Sequence, residues 1–370
     1  MKEKSIPREK QEILNENINQ IIRMVENEKN KYNLLKDDLE KTKEKEKNRN
    51  LLMKDNPYQF AMSALSEALL VIKSQEFWGE NSDAFFSSKY DDYLNGIDVI
   101  LYLIKIYQNQ DNITQSDTIL ENQDKQTTSR PIGLGIDITF SGRVLENKLL
   151  YLKQHLENLS FGTLKYLPDG QIKEIKLPHF IIYLPIKELE QIITVLSKIN
   201  FRNDNLKEIR TKTEKEIELN AIPYAIYQQI FIQIKEWGGH IQNKKAFIVS
   251  KIKKLKEELN YQNQKITKNK INGFIIDKEN ELLNLEMMNN TLEFIQNYFK
   301  NKIDSELFYL SPEEKNEMID KILTINYDFG CGFLSQIIKN QVNAKDLICP
   351  ISVNLQKEEV INFLKNNIYL

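Results

Sequence analysis

At 370 residues the chain is long enough for two domains around a sizeable core, and its hydrophobic (41%) and charged (28%) fractions are ordinary for a globular protein. With 12 glycines and 9 prolines it excludes collagen-like or long linker tracts, and a formal net charge of −2 gives no overall attraction to nucleic acid. No run approaches the roughly 18 apolar residues of a membrane helix. The N-terminal segment lacks the apolar stretch and cleavage site of a secretory signal, and two cysteines, Cys331 and Cys349, define neither a disulfide framework nor a zinc site. A cytoplasmic protein that does not enter membranes is expected.

Residues 1–54 read as a coiled-coil arm. Leu14, Ile18, Ile21, Val25, Tyr32, Leu35 and Leu39 recur at alternating steps of four and three, with Glu28 in one seam position. That spacing keeps one apolar stripe on an underwound helix. The stripe predicts an arm that packs either on another copy, giving a homo-oligomer, or on the C-terminal hairpin.

Residues 55–200 read as an α/β domain. A helix from Pro57 to about Lys73 gathers Phe60, Ala64, Leu65, Ala68 and Leu69 on one face. Gly79–Ser88 reads as a loop, and Asp91 and Asp92, ahead of a strand at Ile97–Ile104, read as turn residues in preference to outer acids of a site. Gln108–Arg130 offers few core-forming side chains and reads as a flexible insertion. A second strand follows at Ile132–Phe140. Ser141 then sits where a helix cap belongs, before a helix to about Asn158 with Leu145, Leu149, Leu152 and Leu156 inward. Pro168–Asp169–Gly170 marks a turn, Phe180–Leu184 a third strand, and Lys187–Ile199 a further helix. Strands alternating with helices predict an α/β layer with a mixed sheet.

Residues 201–370 read as helical. Leu206–Trp237 is one helix with a kink at Pro223. Two further seams, Ile248–Ile252–Leu255–Leu259–Ile266 and Leu285–Met288–Leu292–Ile295–Phe299, flank Gly273 and predict an antiparallel hairpin. Ser311–Leu370 reads as two or three shorter helices. Lys244–Lys270 holds nine lysines against Glu257 and Glu258, a pattern that suits a phosphate-tracking surface and a solvated helix face equally.

The chemistry is carried by Asp98 in NGIDVIL and Asp137 in GLGIDITF. A carboxylate inside a run of Ile, Val and Leu is costly unless it is paired or metal-bound. Here two consecutive apolar strands each hold one, and neighbouring strands bring such groups within a few ångströms. Hard oxygen ligands on a rigid platform are what Mg²⁺ requires.

The order helix, strand with Asp, strand with an acid, helix, strand resembles the restriction-endonuclease-like, or PD-(D/E)XK, nuclease superfamily. It is also similar to a group of small-genome bacterial proteins sharing the phrases Tyr90-Asp91-Asp92-Tyr93-Leu94-Asn95-Gly96-Ile97-Asp98 and Gly135-Ile136-Asp137-Ile138-Thr139-Phe140, and a strand opened by proline, here Pro178. The resemblance spans about 58–200 and implies an αβββαβ-like core. It further implies Mg²⁺-dependent hydrolysis of DNA phosphodiester bonds, endo- or exonucleolytic, with Asp98 and Asp137 as metal ligands and Glu67 as an accessory acid. Thr139 stands where the superfamily has its lysine; Lys148, on the following helix, is the expected replacement and Arg143 the second choice. The rival reading is a non-catalytic coiled-coil scaffold carrying a decayed nuclease fold.

Other motifs carry less. His155 and His179 lack ligand partners at useful spacing and read as surface or core-edge residues, His240 after Gly238–Gly239 reads as a loop residue, and Gly133-Leu134-Gly135 lacks the dinucleotide-binding spacing. Asp328-Phe329-Gly330 spells a kinase tripeptide without the accompanying kinase loops.

Overall fold

The computed structural model describes residues 8–55, 57–72, 77–79, 82–104, 131–140, 144–145, 147–150, 161–185, 188–189, 221–261, 265–307, 309–341 and 356–367. The expected insertion at 108–130, the helix at 187–199 beyond Leu189, and Arg143, His155 and Cys349 lie outside these residues. Among the described residues no helix is long and apolar enough to cross a membrane.

The N-terminal residues form two helices, α1 (Arg8–Lys29) and α2 (Lys36–Asp55), where one coiled-coil helix was expected. From residue 19 onward, the buried positions of α1 are Ile21, Val25 and Lys29, steps of four that follow a straight helix and bypass the heptad position of Glu28. The break falls where tertiary contacts hold the chain. Tyr32 donates its hydroxyl to the Phe86 carbonyl (2.6 Å), and the Leu35 amide donates to the Tyr166 hydroxyl (2.9 Å). Leu35 and Leu39, expected in the seam, are exposed.

Helix α3 (Pro57–Ile72) buries nearly its whole C-terminal half, Ala64 to Ile72, against the sheet and α1. The sheet is mixed, in the order β1-β2-β3-β6, built from β1 (Ser82–Phe86), β2 (Val99–Ile104), β3 (Pro131–Thr139) and β6 (His179–Tyr183). The first two pairings are antiparallel, whereas β3 and β6 run parallel. Strand β1 lies within the stretch expected to be a loop. Its five residues alternate buried and half-buried, and Phe85 packs on Tyr102 across the ladder, ring centres 5.6 Å apart. A strand this short gains its stability from the neighbour it pairs with.

A second sheet, β4 (Gly162–Tyr166) with β5 (Ile172–Leu177), turns at Gly170, whose φ of 85° suits glycine. This hairpin, read from sequence only as a turn, covers one face of β2–β3. Gly135 permits it: a Cβ there would meet Leu177 Cδ1 at 2.7 Å and Ile97 Cδ1 at 3.1 Å. The glycines of the GLG run serve packing, with Ile97, Ile100, Leu164 and Leu177 forming a small core beneath the hairpin.

Helix α5 (Ile222–Tyr261) begins with Pro223 in its first turn, where a missing N–H costs nothing, and no kink is needed. It continues through Gly238, Gly239 and His240, the last expected in a loop. Helix α6 (Lys265–Leu307) likewise continues through Gly273, which therefore lies inside a helix and does not mark the turn expected there. Near its start α5 closes the open edge of β6. Gln233 accepts from the Ile181 N–H (2.9 Å) and donates to its carbonyl (2.8 Å), while Gln229 accepts from Tyr183 N–H (2.7 Å) and donates to its carbonyl (2.8 Å). The spacings agree, since four helical residues rise about 6 Å and two strand residues about 6.6 Å.

Helices α7 (Pro312–Gln341) and α8 (Lys357–Lys365) complete the chain. Phe329, of the kinase-like tripeptide, is buried in mid-helix, and Gly330 lets Val360 and Leu364 of α8 approach. A single hydrophobic cluster joins Ile21 of α1, the sheet, α5, α6 and Val360 of α8.

Candidate active site

Asp98 immediately precedes β2, and its amide donates to the Ile136 carbonyl (2.9 Å). The β2–β3 register pairs Val99 with Ile136, so one further step sets Asp98 opposite Asp137. Both side chains share the face with Ile100, Tyr102, Gly133 and Gly135, since alternate strand residues point the same way. Both are buried (7% exposed each). Asp98 Oδ2 also accepts from the Ile138 amide (2.7 Å).

Lys148 lies in the helical segment 147–150 that follows β3. Its ammonium contacts Asp137 Oδ1, donates to the Ile138 carbonyl (2.6 Å) and stands 4.0 Å from Asp98 Oδ2. Two carboxylates and one backbone carbonyl therefore converge on a single positive charge. Thr139, the residue in the superfamily's lysine position, is buried in β3.

Asp91 and Asp92 sit in a short helix, α4 (Lys89–Asn95), capped by Ser88 and ended by Gly96 at φ 67°. Their roles diverge, and neither is the turn residue expected. Asp91, fully buried, accepts from the Lys165 amide (2.9 Å), the Tyr166 amide (3.0 Å) and Asn95 (2.7 Å), pinning the β4–β5 hairpin beside the site. Asp92 turns toward Asp98 and accepts from Lys29 (2.6 Å) and Arg49 (3.1 Å).

Lys29 also lies 2.5 Å from Glu67 Oε2, with both side chains 1% exposed. Glu67 thus enters the cluster through a lysine of α1. Arg49 of α2 packs its guanidinium 4.9 Å from the centre of the Tyr93 ring. Sequence reasoning missed Lys29 and Arg49, and ranked Asp92 as an outer acid only second to a turn residue. The one legible signal was a lysine four residues beyond Val25 on a buried stripe.

Burial dominates the electrostatics. It pushes Asp98 well above the usual carboxylate range, with Lys148 opposing and Asp137 and Asp92 adding to the shift. Burial raises Asp137 too, against Lys148, and pushes Glu67 up to about 7 against Lys29. Asp92 moves the other way: burial is outweighed by Lys29 and Arg49, which hold it below its ordinary value. Burial would strip Lys29 of its proton, but Asp92 and Glu67 hold it charged. Asp98 lies within hydrogen-bonding reach of both Asp92 and Asp137.

His179, expected at a surface or core edge, is buried near the site: its Cε1 and Asp137 Oδ2 both lie 3.9 Å from where a Cβ on Gly96 would be. A separate cavity of about 280 Å³, lined by Tyr32, Phe85, Phe86, Tyr166 and Pro168, contains none of the clustered acids. On the basic hairpin, Lys244, Lys245 and Lys256 pair with Glu281, Glu286 and Glu279 of α6 at 3.0–3.6 Å. Those lysines are part of a solvated helix–helix surface.

Among the described residues no three Asp, Glu, His or Cys side chains gather in a way that could hold a metal ion. The third converging oxygen is a backbone carbonyl, and two carboxylates with a neutral oxygen are a donor set that suits Mg²⁺, which keeps several of its waters. No protein-family model, no curated protein and no solved structure matches this chain.

Proposed function

We propose that this chain is a Mg²⁺-dependent nuclease that hydrolyses DNA phosphodiester bonds at the Asp98–Asp137–Lys148 cluster. The observation that carries this reading is the convergence of Asp137 Oδ1, the Ile138 carbonyl and Asp98 Oδ2 on one cation, the Lys148 ammonium. Those oxygens are hard donors, and Asp98 and Asp137 with the Ile138 carbonyl would hold the ion. When bound, Mg²⁺ polarises a phosphoryl oxygen and acidifies a water. Lys148, a quarter exposed, supplies positive charge at the mouth of the cluster, where charge develops on a transferring phosphoryl group. Arg49, also a quarter exposed and oriented by Asp92 and Tyr93, offers a planar fork to a phosphate. Lys29 and Glu67, fully enclosed, keep Asp92 in place.

One observation favours a second reading. Lys148 stands at the convergence point itself, so a permanently seated ammonium makes a site that binds no metal and a protein that serves as a scaffold. Incubating labelled single- and double-stranded DNA with the protein, with Mg²⁺ or with EDTA, separates the two. The nuclease reading expects cleavage with Mg²⁺ alone, lost by at least a hundredfold in Asp137→Asn. Lys148→Ala should lower turnover by orders of magnitude with little change in DNA affinity, whereas Arg49→Gln should weaken binding and reduce its salt dependence by about one ion. Absence of cleavage, together with melting temperatures unmoved by Mg²⁺ or Mn²⁺, establishes the scaffold reading.

A further inference from the structure

Helix α6 carries two apolar seams, of which its partner α5 uses one. The inner seam, Ile271, Ile275, Leu285 and Leu292, is buried. The second, Ile276–Asn280–Leu283–Met287–Asn290–Phe294, advances by steps of four, three, four, three and four along another face. Ile276 (57%), Leu283 (56%) and Met287 (61%) are exposed, as are the two asparagines, while Phe294, at the end of the stripe, is half-buried and packs on Tyr298 and the margin of the core. Scattered exposed hydrophobics need no explanation. Five consecutive heptad steps on a solvent face are a different matter, because that spacing keeps a stripe aligned with a second helix.

The stripe also reads the same in both directions. Reversed about Leu285, Ile276 maps to Phe294, Asn280 to Asn290 and Leu283 to Met287. A two-fold interface needs a surface that complements itself, which an unrelated partner does not. Buried asparagines that meet each other fix register, and here each Asn faces the other's counterpart. The acidic border of the stripe is already balanced, since Glu279 pairs with Lys256 (3.0 Å) and Glu286 with Lys245 (3.6 Å) in the same hairpin. Orientation follows from where the body sits. The Phe299 end of α6 packs on Trp78, ring centres 6.0 Å apart, so a parallel pair would bring two bodies to the same end.

We propose that two copies of this chain pair antiparallel through the second seam of α6, forming a four-helix arrangement from two hairpins. The seam is about 27 Å long, at the small end of specific interfaces, so the dimer exchanges with monomer over roughly 1–100 µM. Sedimentation velocity of the full chain across that range is expected to show the mass rising from monomer to dimer. Met287→Glu, and separately Leu283→Glu, should hold it at monomer throughout; both positions face solvent, and unchanged melting curves verify the fold. Register is read from chains with one added cysteine: mixing Leu283→Cys with Met287→Cys should give more oxidised dimer than either alone, above the background from Cys331 and Cys349. A monomer at every concentration overturns the proposal. So does a dimer that survives both glutamates, and stronger self-cross-linking than mixed cross-linking overturns the antiparallel register.

Discussion

Glu67, Asp92, Asp98 and Asp137 share one site with Lys29, Arg49 and Lys148, and most of these side chains are nearly withdrawn from water. Burying single charges costs several kcal/mol apiece, so such a cluster persists only because its three cations are shared among its four acids. A quieter pair of the same kind fixes the N-terminal helices to the hairpin. Asp38 of α2 accepts from the Tyr166 hydroxyl (2.6 Å) and pairs with Lys165 (2.6 Å). Burial would raise its pKa, but the hydrogen bonds from Lys165 and Tyr166 prevail and hold it below its ordinary value. A depressed carboxylate contributes stability that is present above its unfolded pKa, about 4, and lost as pH falls through the lower folded value. The melting-temperature gap between the parent and Asp38→Asn should therefore be constant from neutral pH down to about 5 and close below about 4. A gap that is unchanged in acid would assign the contribution of Asp38 to packing alone.

At the scale of elements, the open edge of β6 is managed by side chains. Gln229 and Gln233 give Tyr183 and Ile181 the hydrogen bonds a further strand would supply, and Asn326 of α7 ties Gln229 (2.7 Å) to the Ala225 carbonyl (3.0 Å). An edge strand left open invites pairing with another chain. Gln233→Leu leaves the Ile181 N–H and C=O without partners in a buried setting, at about 1–3 kcal/mol per group. The exposed Gln242, on the same helix, serves as control, and Gln242→Leu should stay within about 0.5 kcal/mol. Urea midpoints of the two variants measure the difference. Equal midpoints would mean that the amide contacts add nothing.

For the whole molecule, the N-terminal helices belong to the body. Ile21 and Val25 lie in the main core, Lys29 neutralises Glu67 and Asp92, and Arg49 completes the site. A chain lacking residues 1–55 should consequently lose cooperative unfolding and near-ultraviolet circular dichroism, because two buried acids are left without their cation. A sharp melt in the truncated chain would show instead that the helices are a separable arm.

Much of the central frame was legible in the sequence. Strands β2, β3 and β6 are short apolar runs bounded by turn residues, and an aspartate at the head of β2 and another within β3 stand out because a charge among Ile, Val and Leu is expensive. Lys148 was reachable because helical spacing is local and its distance from Asp137 along the chain is short. The remainder depended on contacts made across the chain. Strand β1 and the β4–β5 hairpin have sequences too short and polar to declare themselves, and pairing and covering decide them. Lys29 lies in a helix whose heptad and straight-helix readings differ by one residue, and packing against α3 chose the latter. Arg49 and Asp92 are 43 residues apart, and nothing in the periodicity of either segment announces the other. Hydrophobic period is a property of neighbours in sequence, so the sequence alone determined the central strands and their two acids. Which charges surround a buried carboxylate depends on neighbours in space, and tertiary packing decided that.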